Sequence, residues 1–229
     1  MNKSFIYILL AITLSLLLFK LFGEGVSNYN SKDFFHDYIS NFKDKSLPFS
    51  IDRDKILSLN NDYSSFIEIK DSLKRFIPEE LRKKQPDSKF ISLYSLPENN
   101  GNIPVLVLQD LINKYDINGE LYEVREVKTY LVIYNNYGKV LDYQQMAGVV
   151  IDAKETFMTI NEKNIIERKK YQFKMPEDND MRQYSLISQT IYKYKLMSNG
   201  KIKEVKKQER EGYFDFDKEG GYQFVKPLN

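Results

Sequence analysis

Apolar residues recur with a helical period in the first part of the chain and with a strand period after about Lys89. The first helical stripe consists of Phe34, Phe35, Tyr38, Ile39 and Phe42. Ser31 is a good N-cap, so this stripe predicts a helix from Ser31 to about Lys43. A second helical pattern lies within 62–76, where Phe66, Ile69, Leu73 and Phe76 share a face. A short third helix is predicted after Pro78, because acidic residues come first there and basic residues last.

From Lys89 onward, apolar and polar residues alternate with a period of two. Eight segments follow this pattern: 89–96, 103–111, 123–134, 139–146, 155–160, 164–173, 184–197 and 201–216. No helical pattern of 10–15 residues separates them, which argues against a parallel sheet with helical crossovers. The pattern predicts an α+β fold in which N-terminal helices pack on one face or end of a curved antiparallel meander of about eight strands. Barrel-like closure is an alternative.

Several strand-like segments are joined by stretches that contain glycine. Examples are Asn118–Gly119, Asn136–Gly138, Asn199–Gly200 and Gly220–Gly221. Glycine and asparagine accept the positive φ that tight hairpin turns require. The four glycines that lead these turns are irregularly spaced, whereas true repeat arrays keep a fixed period. We therefore interpret them as hairpin tips and not as copies of a ligand-binding repeat.

Residues 1–25 have the pattern of a targeting segment. Lys3 precedes an uninterrupted run of low polarity from Phe5 to Phe19, and Lys20 then interrupts it. The run lies between the lengths typical of a cleaved signal peptide and of a spanning helix, so signal peptide and signal anchor both stay open. Either one places the rest of the chain in the periplasm or at the outer face of the cytoplasmic membrane. Residues 26–31 are a short spacer, and 32–229 are predicted to form a single exported domain.

Composition excludes several classes of chemistry. The 34 basic and 32 acidic residues nearly cancel, which gives no support for nucleic-acid binding. The chain has no cysteine, so thiol catalysis, disulfides and cysteine-ligated metals are excluded. Its one histidine, His36, stands beside Asp37, but neighbours on a helix point about 100° apart and do not form a catalytic pair. No phosphate-binding, dinucleotide-binding or metalloprotease motif is present, and no cofactor is expected.

The acidic turn near the C-terminus is the one candidate metal site. Asp215, Asp217, Glu219 and Gly220 match positions 1, 3, 5 and 6 of a calcium-binding EF-hand loop. Position 12, which should be a bidentate glutamate, is Lys226, and no flanking helices are predicted. An exposed acidic turn therefore explains this stretch better than a calcium site.

Three stretches, 34–52, 75–81 and 130–148, together resemble small exported proteins of Bacteroidota whose function is uncharacterised. They read "FFHDYISNFKDKSLPFSID", "RFIPEEL" and "YLVIYNNYGKVLDYQQMAG". The resemblance implies an envelope location and a β-rich fold, and it implies no activity. Many such proteins carry a lipoprotein cysteine, which is missing here.

The export pattern and the lack of catalytic motifs predict a non-enzymatic envelope protein. Its partner is expected to be a protein or a small ligand outside the cytoplasmic membrane, and the N-terminal segment contacts the membrane itself if it is not cleaved. Two alternatives stay open. One is a periplasmic immunity protein that neutralises a toxin, and the other is an envelope hydrolase that uses two carboxylates.

Overall fold

The structure, a computed structural model, describes residues 32–117, 120–150, 154–174, 185–216 and 222–228. Most of these residues lie in one open, mixed sheet. Its strands are β1 Lys43–Asp44, β2 Phe49–Ile51, β3 Ile67–Glu68, β4 Lys89–Ser95, β5 Asn102–Ile117, β6 Glu120–Asn135, β7 Val140–Val150, β8 Lys154–Ile160, β9 Ile165–Phe173, β10 Ser185–Leu196, β11 Ile202–Phe216 and β12 Tyr222–Pro227. The predicted N-terminal segment 1–25 and the spacer 26–31 lie outside the described residues.

In the described residues, three short α-helices and one 3₁₀ helix precede the long strands. They are α1 (32–39), α2 (Arg53–Asn61), the 3₁₀ helix (Lys74–Phe76) and α3 (Glu79–Lys84). Within the described residues, no helix is both long enough and apolar enough to cross a membrane. The predicted helix after Pro78 is confirmed as α3.

The sheet is an antiparallel meander from β4 to β12, with β1 and β3 added beside β4 and β2 added beside β8. Each of the eight predicted segments coincides with a strand, but the predicted number of about eight is too low, because β12 and the three short strands bring the total in the described residues to twelve. The sheet is not purely antiparallel, because β1 pairs in parallel with β4. Nor is it closed into a barrel, since in the described part of the chain β1 and β12 end the strand order without pairing with each other.

Two helix predictions are wrong in part. Helix α1 ends at residue 39, not near Lys43, because Lys43–Asp44 pair with β4. Residues 62–76 do not form the predicted helix. The Asp62 carboxylate accepts hydrogen bonds from the Ser64 backbone and hydroxyl, and Ile67–Glu68 then pair with β4 as β3. Only the last turn of this segment is helical, as the 3₁₀ helix, so its apolar side chains reach the core from an irregular chain.

Helix α2 has no counterpart among the predicted elements. Asp52 caps it, with its carboxylate accepting the Lys55 N–H at 2.9 Å. Ile56 and Leu59 are its buried apolar residues. Two such positions in nine residues make a stripe that is too narrow to predict a helix from the sequence. The helix therefore depends on its packing against the sheet.

The helices cover both faces of the central strands, whereas the sequence predicted one face or end. Successive residues of a strand point to opposite faces. Val105 and Val107 of β5 pack with α1, the 3₁₀ helix and α3, while Leu106 and Leu108 pack with α2. We call these the α1/α3 face and the α2 face. Burial on both sides explains the uninterrupted apolar runs of β5 and β6.

An aromatic layer joins α1 to β6 on the α1/α3 face. Tyr38 and Tyr134 are fully buried, and their hydroxyl oxygens lie 3.1 Å apart. Tyr134 donates its only hydroxyl proton to the Phe76 carbonyl at 2.8 Å, so Tyr38 must donate to Tyr134. Burial raises the pKa of both hydroxyls. The layer therefore stays neutral and fully hydrogen-bonded, and it fixes the position of α1 on the sheet.

The described glycine turns confirm the hairpin interpretation. Gly138 and Gly200 have φ angles of 80° and 77°. In both turns the glycine N–H donates a hydrogen bond to the carbonyl three residues earlier. Asn164, which has a φ of 57°, makes the same hydrogen bond in its turn. The same kind of turn joins β6 to β7, β8 to β9 and β10 to β11. Asn118 and Gly119 lie outside the described residues, but the register leaves just these two residues between Ile117 and Glu120.

Candidate functional site

The β5–β6 hairpin extends well beyond the rest of the sheet. Pairing of β4 with β5 stops at Asp110, and pairing of β6 with β7 stops at Glu126. The hairpin continues for a further seven residues of β5, Leu111–Ile117, and six of β6, Glu120–Arg125. We call this two-stranded ribbon the arm. Among the described residues, neither edge of the arm has a neighbouring strand.

Large apolar side chains are exposed on the arm. Ile112 is 60% exposed, Leu121 73% and Tyr122 46%. The register places Ile112 and Leu121 on one face, together with an ion pair between Lys114 and Glu123 at 3.1 Å. Tyr122 lies on the other face and donates to Glu120 at 2.7 Å. The arm therefore offers apolar contact area on both faces, which is unusual for a strand pair that stays in water.

A groove of about 530 Å³ runs beside the free edge of β5. The β5 residues from Asp110 to Lys114 form one wall, and the segment from Lys84, the last residue of α3, to Lys89 forms the other. Two hydrogen bonds hold the second wall in place. Gln85 donates to the Asn113 side chain at 3.1 Å, and Gln109 donates to the Ser88 hydroxyl at 3.0 Å. The groove is thus preformed and open along the backbone of β5.

An ion pair fixes the base of the arm to α2. Arg125 binds Asp110 through two parallel bonds, Nε to Oδ1 at 2.8 Å and Nη2 to Oδ2 at 3.0 Å. The third nitrogen of Arg125 donates to the carbonyl of Asn60, in the last turn of α2. Tyr63 adds a hydrogen bond to Asp110 at 2.7 Å. Bidentate pairs of this kind are geometrically specific, so the direction of the arm is set by α2.

The electrostatics of this base do not suit acid catalysis. Desolvation raises the pKa of Asp110, but hydrogen bonds from Arg125 and Tyr63 outweigh it, and the pKa lies below its ordinary value. Asp110 is therefore ionised at neutral pH and holds no proton to donate. Arg125 is likewise engaged by Asp110. Within the described ranges, no three His, Cys, Asp or Glu side chains come together to hold a metal ion.

His36 and Asp215, the described residues among those that the sequence singled out, do not line this groove. His36 is exposed on α1. Asp215 is exposed in β11, where it pairs with Gln223 of β12. Asp217, Glu219 and Gly220 lie outside the described residues, so the calcium interpretation stays a prediction.

Sequence reasoning missed the arm because it ended the two strands too early. The predicted segments 103–111 and 123–134 assign no strand to residues 112–122, which hold only the predicted hairpin tip at Asn118–Gly119. The observed strands have 16 residues each and meet with Ile117 opposite Glu120. The Asn118–Gly119 pair was already interpreted as a hairpin tip, and a two-residue turn there requires paired strands right up to it on both sides, which is the signal for the full length of the arm.

Comparisons of the chain with protein families, with curated proteins and with solved structures find no match. The resemblance to exported proteins of Bacteroidota therefore stays a prediction, and the geometry of the arm and its groove is what carries an inference about function.

Proposed function

We propose that this chain is a non-enzymatic envelope protein that binds a partner protein through the arm. The occupant of the groove is an extended segment of that partner, which adds to the free edge of β5. The observation that carries this proposal is the exposure of Ile112, Leu121 and Tyr122 on a ribbon whose edges are unpaired in the described residues.

The chemistry of the groove matches an extended peptide. An unpaired strand edge presents a row of backbone N–H and C=O groups, which another strand satisfies. The seven residues of β5 in the arm span about 23 Å at about 3.3 Å per residue, enough for a strand of ordinary length. Ile112 lines the groove and supplies apolar contact for alternate side chains of the peptide.

The edge of β11 is a second exposed strand edge, and its sequence differs from that of the arm. Strand β12 pairs with Gly212–Phe216, and in the part of the chain that the structure describes no strand pairs with the preceding part of β11 on that side. That part reads "KEVKKQERE" and is dominated by charges of both signs, which discourage pairing with another strand. The edge of the arm, which begins "LI" at Leu111, has no such protection.

The position of the arm supports an envelope role. Helix α1 packs beside the β6–β7 turn, where Phe35 lies 5.3 Å from the ring of Tyr134. Glu120, at the far end of β6, is fourteen residues away from Tyr134, or about 46 Å along the strand. The arm is therefore remote from Lys32. If the apolar segment before Lys32 is held at the membrane, the arm reaches away from it.

Site-specific photo-crosslinking in cells of the native host tests this proposal. A benzophenone amino acid replaces Leu121 in the full chain, and the matched control carries it at Tyr137, which is 62% exposed at the opposite end of β6. We expect one discrete protein adduct from position 121, in the envelope fraction, and none from position 137. No adduct from position 121, or the same adducts from both positions, would overturn the proposal.

A further inference from the structure

A second surface, unrelated to the arm, gathers basic side chains on the α1/α3 face beyond the helices. The register places Lys128, Gly148, Thr156 and Lys170 in one row across β6 to β9. Lys154 precedes Thr156 by two residues, so it projects from the same face. We call Lys128, Lys154 and Lys170 with their central residues Gly148 and Thr156 the platform.

The positive charge of the platform is only partly balanced. Lys128 pairs with Glu126 at 2.9 Å, and Glu126 also accepts from Asn113 at 2.7 Å. In the part of the chain that the structure describes, Lys154 and Lys170 form no ion pair. Glu209 and Glu211 of β11 lie on the same face of the sheet, but they form ion pairs with Lys207 and Lys174 and not with the platform lysines.

Arg168 adds a fourth cation beside the platform. It precedes Lys170 by two residues and shares its face, and its guanidinium stacks on Tyr192 with 4.2 Å to the ring centroid. Its Nη1 donates to the Gln145 carbonyl at 2.6 Å. These contacts hold the arginine in place without neutralising its charge.

The cations are close enough to repel one another. The pKa of Lys154 is lowered, first by desolvation and then by the charges of Lys170, Lys128 and Arg168, and Glu126 offsets this only in part. Like charges collected on one surface destabilise the folded state unless an anion neutralises them. The lysines stand on three different strands, so only the folded sheet brings them together.

The centre of the platform is a shallow depression. Gly148 has no room for a side chain, because a Cβ at this position would lie 2.8 Å from the Val127 carbonyl oxygen and 3.3 Å from Nε2 of Gln145. The free space is about 10 Å³, bordered by Glu126, Lys128, Gln145, Lys154 and Thr156, and the Glu126 carboxylate is paired with Lys128. That is room for one water-sized atom. The acceptor oxygens of Val127 and Glu126 disfavour an anion inside the depression, so an oxyanion is placed above it, level with the lysine ammonium groups.

We propose that the platform binds a phosphate monoester or inorganic phosphate through Lys128, Lys154 and Lys170, with the phosphate group above the depression at Gly148. The Gln145 amide borders the depression and is available as a neutral donor. A phosphate dianion suits this site because it offers several acceptor oxygens to donors that stand on separate strands. The ligand is either a free phosphate or the headgroup of a lipid with a terminal phosphate, and the chemistry at the site is the same.

Isothermal titration calorimetry of the detergent-solubilised full chain tests this site. The titrants are inorganic phosphate, dihexanoyl phosphatidic acid, which bears a phosphate monoester, and dihexanoyl phosphatidylglycerol, which bears only a diester. Lys154→Met/Lys170→Met is compared with Lys203→Met/Lys206→Met, which removes the same charge from exposed positions of β11. We expect at least one of the first two titrants to bind, and each platform lysine to contribute roughly tenfold in affinity.

The outcomes separate the possible sources and the possible failures. Binding of phosphatidic acid alone assigns the site to a lipid headgroup, and binding of inorganic phosphate as well assigns it to the phosphate group itself. The platform variant should lose about a hundredfold in affinity, while the β11 variant keeps it. Equal losses of affinity in the two variants would mean that binding depends only on net charge, and this would overturn the proposal. A failure of both monophosphates to bind would overturn it as well. Neither result bears on the arm.

Discussion

We expect charged residues on the arm to weaken partner binding strongly. In the double variant Ile112→Asp/Leu121→Asp, the affinity for the protein captured from position 121 should fall by about a hundredfold or more, which corresponds to about 2.7 kcal/mol. Both side chains are largely exposed in the free protein, so they are available to become buried in a complex. A carboxylate buried there without a partner loses its hydration, and apolar anchors carry most of the energy of such interfaces.

The matched control for the charged arm is Tyr137→Asp/Val205→Asp. These residues are 62% and 52% exposed, and their replacement changes the net charge by the same amount. The control should bind with native affinity in a surface plasmon resonance titration. Thermal unfolding should be unchanged in both variants, because surface substitutions usually alter stability by less than about 0.5 kcal/mol. Equal loss of binding in the two variants would contradict the assignment of the interface to the arm.

Replacing Gly138 with alanine should strongly destabilise the folded state. Gly138 lies in the β6–β7 turn, next to the aromatic layer. The position has a φ of 80°, and a Cβ there would lie 2.7 Å from the Phe35 ring and 2.8 Å from the Phe76 ring. The left-handed backbone costs an alanine about 1–2 kcal/mol. Displacing two packed rings adds about 1–3 kcal/mol. We expect a loss of about 3 kcal/mol in the free energy of unfolding.

Gly101→Ala separates the two contributions. Gly101 has a φ of 77°, but the nearest atom to an added Cβ is the Asn136 side-chain nitrogen at 4.0 Å. This variant should lose only the backbone part, about 1–2 kcal/mol. Urea unfolding of the two variants under the same conditions measures the difference. If Gly138→Ala were no worse than Gly101→Ala, α1 and the 3₁₀ helix would not pack on the β6–β7 turn as described.

The sequence predicted what depends on local chemistry. Alternation located eight of the strands, and the need for positive φ located the turns at Gly138 and Gly200. The apolar runs in β5 and β6 also carried a signal of burial on both faces, which explains why helices lie on either side. Helix α2 was missed because only Ile56 and Leu59 are buried and its capping residue, Asp52, was not recognised.

The functional surfaces were beyond the reach of local patterns. The arm mixes apolar, polar and charged residues without a clear alternation, and only the register, which ends with Ile117 opposite Glu120, shows that these residues are strands. The bond from Arg125 to Asp110 joins two strands, and Tyr63 reaches it from a different segment. The platform depends still more on folding, because Lys128, Lys154 and Lys170 come together on one face only through the pairing of four strands.

Shortening the arm tests the central claim most directly. Replacing Lys114–Glu123 with Asn-Gly joins Asn113 to Val124, which are already paired, through a two-residue turn and leaves the Asp110–Arg125 pair intact. The measurement is the dissociation constant for the partner captured from position 121, with the native full chain and the shortened full chain compared at equal concentration. Our account predicts that the shortened chain unfolds at the native temperature and binds at least about a hundredfold more weakly. A shortened chain that binds with native affinity would contradict it.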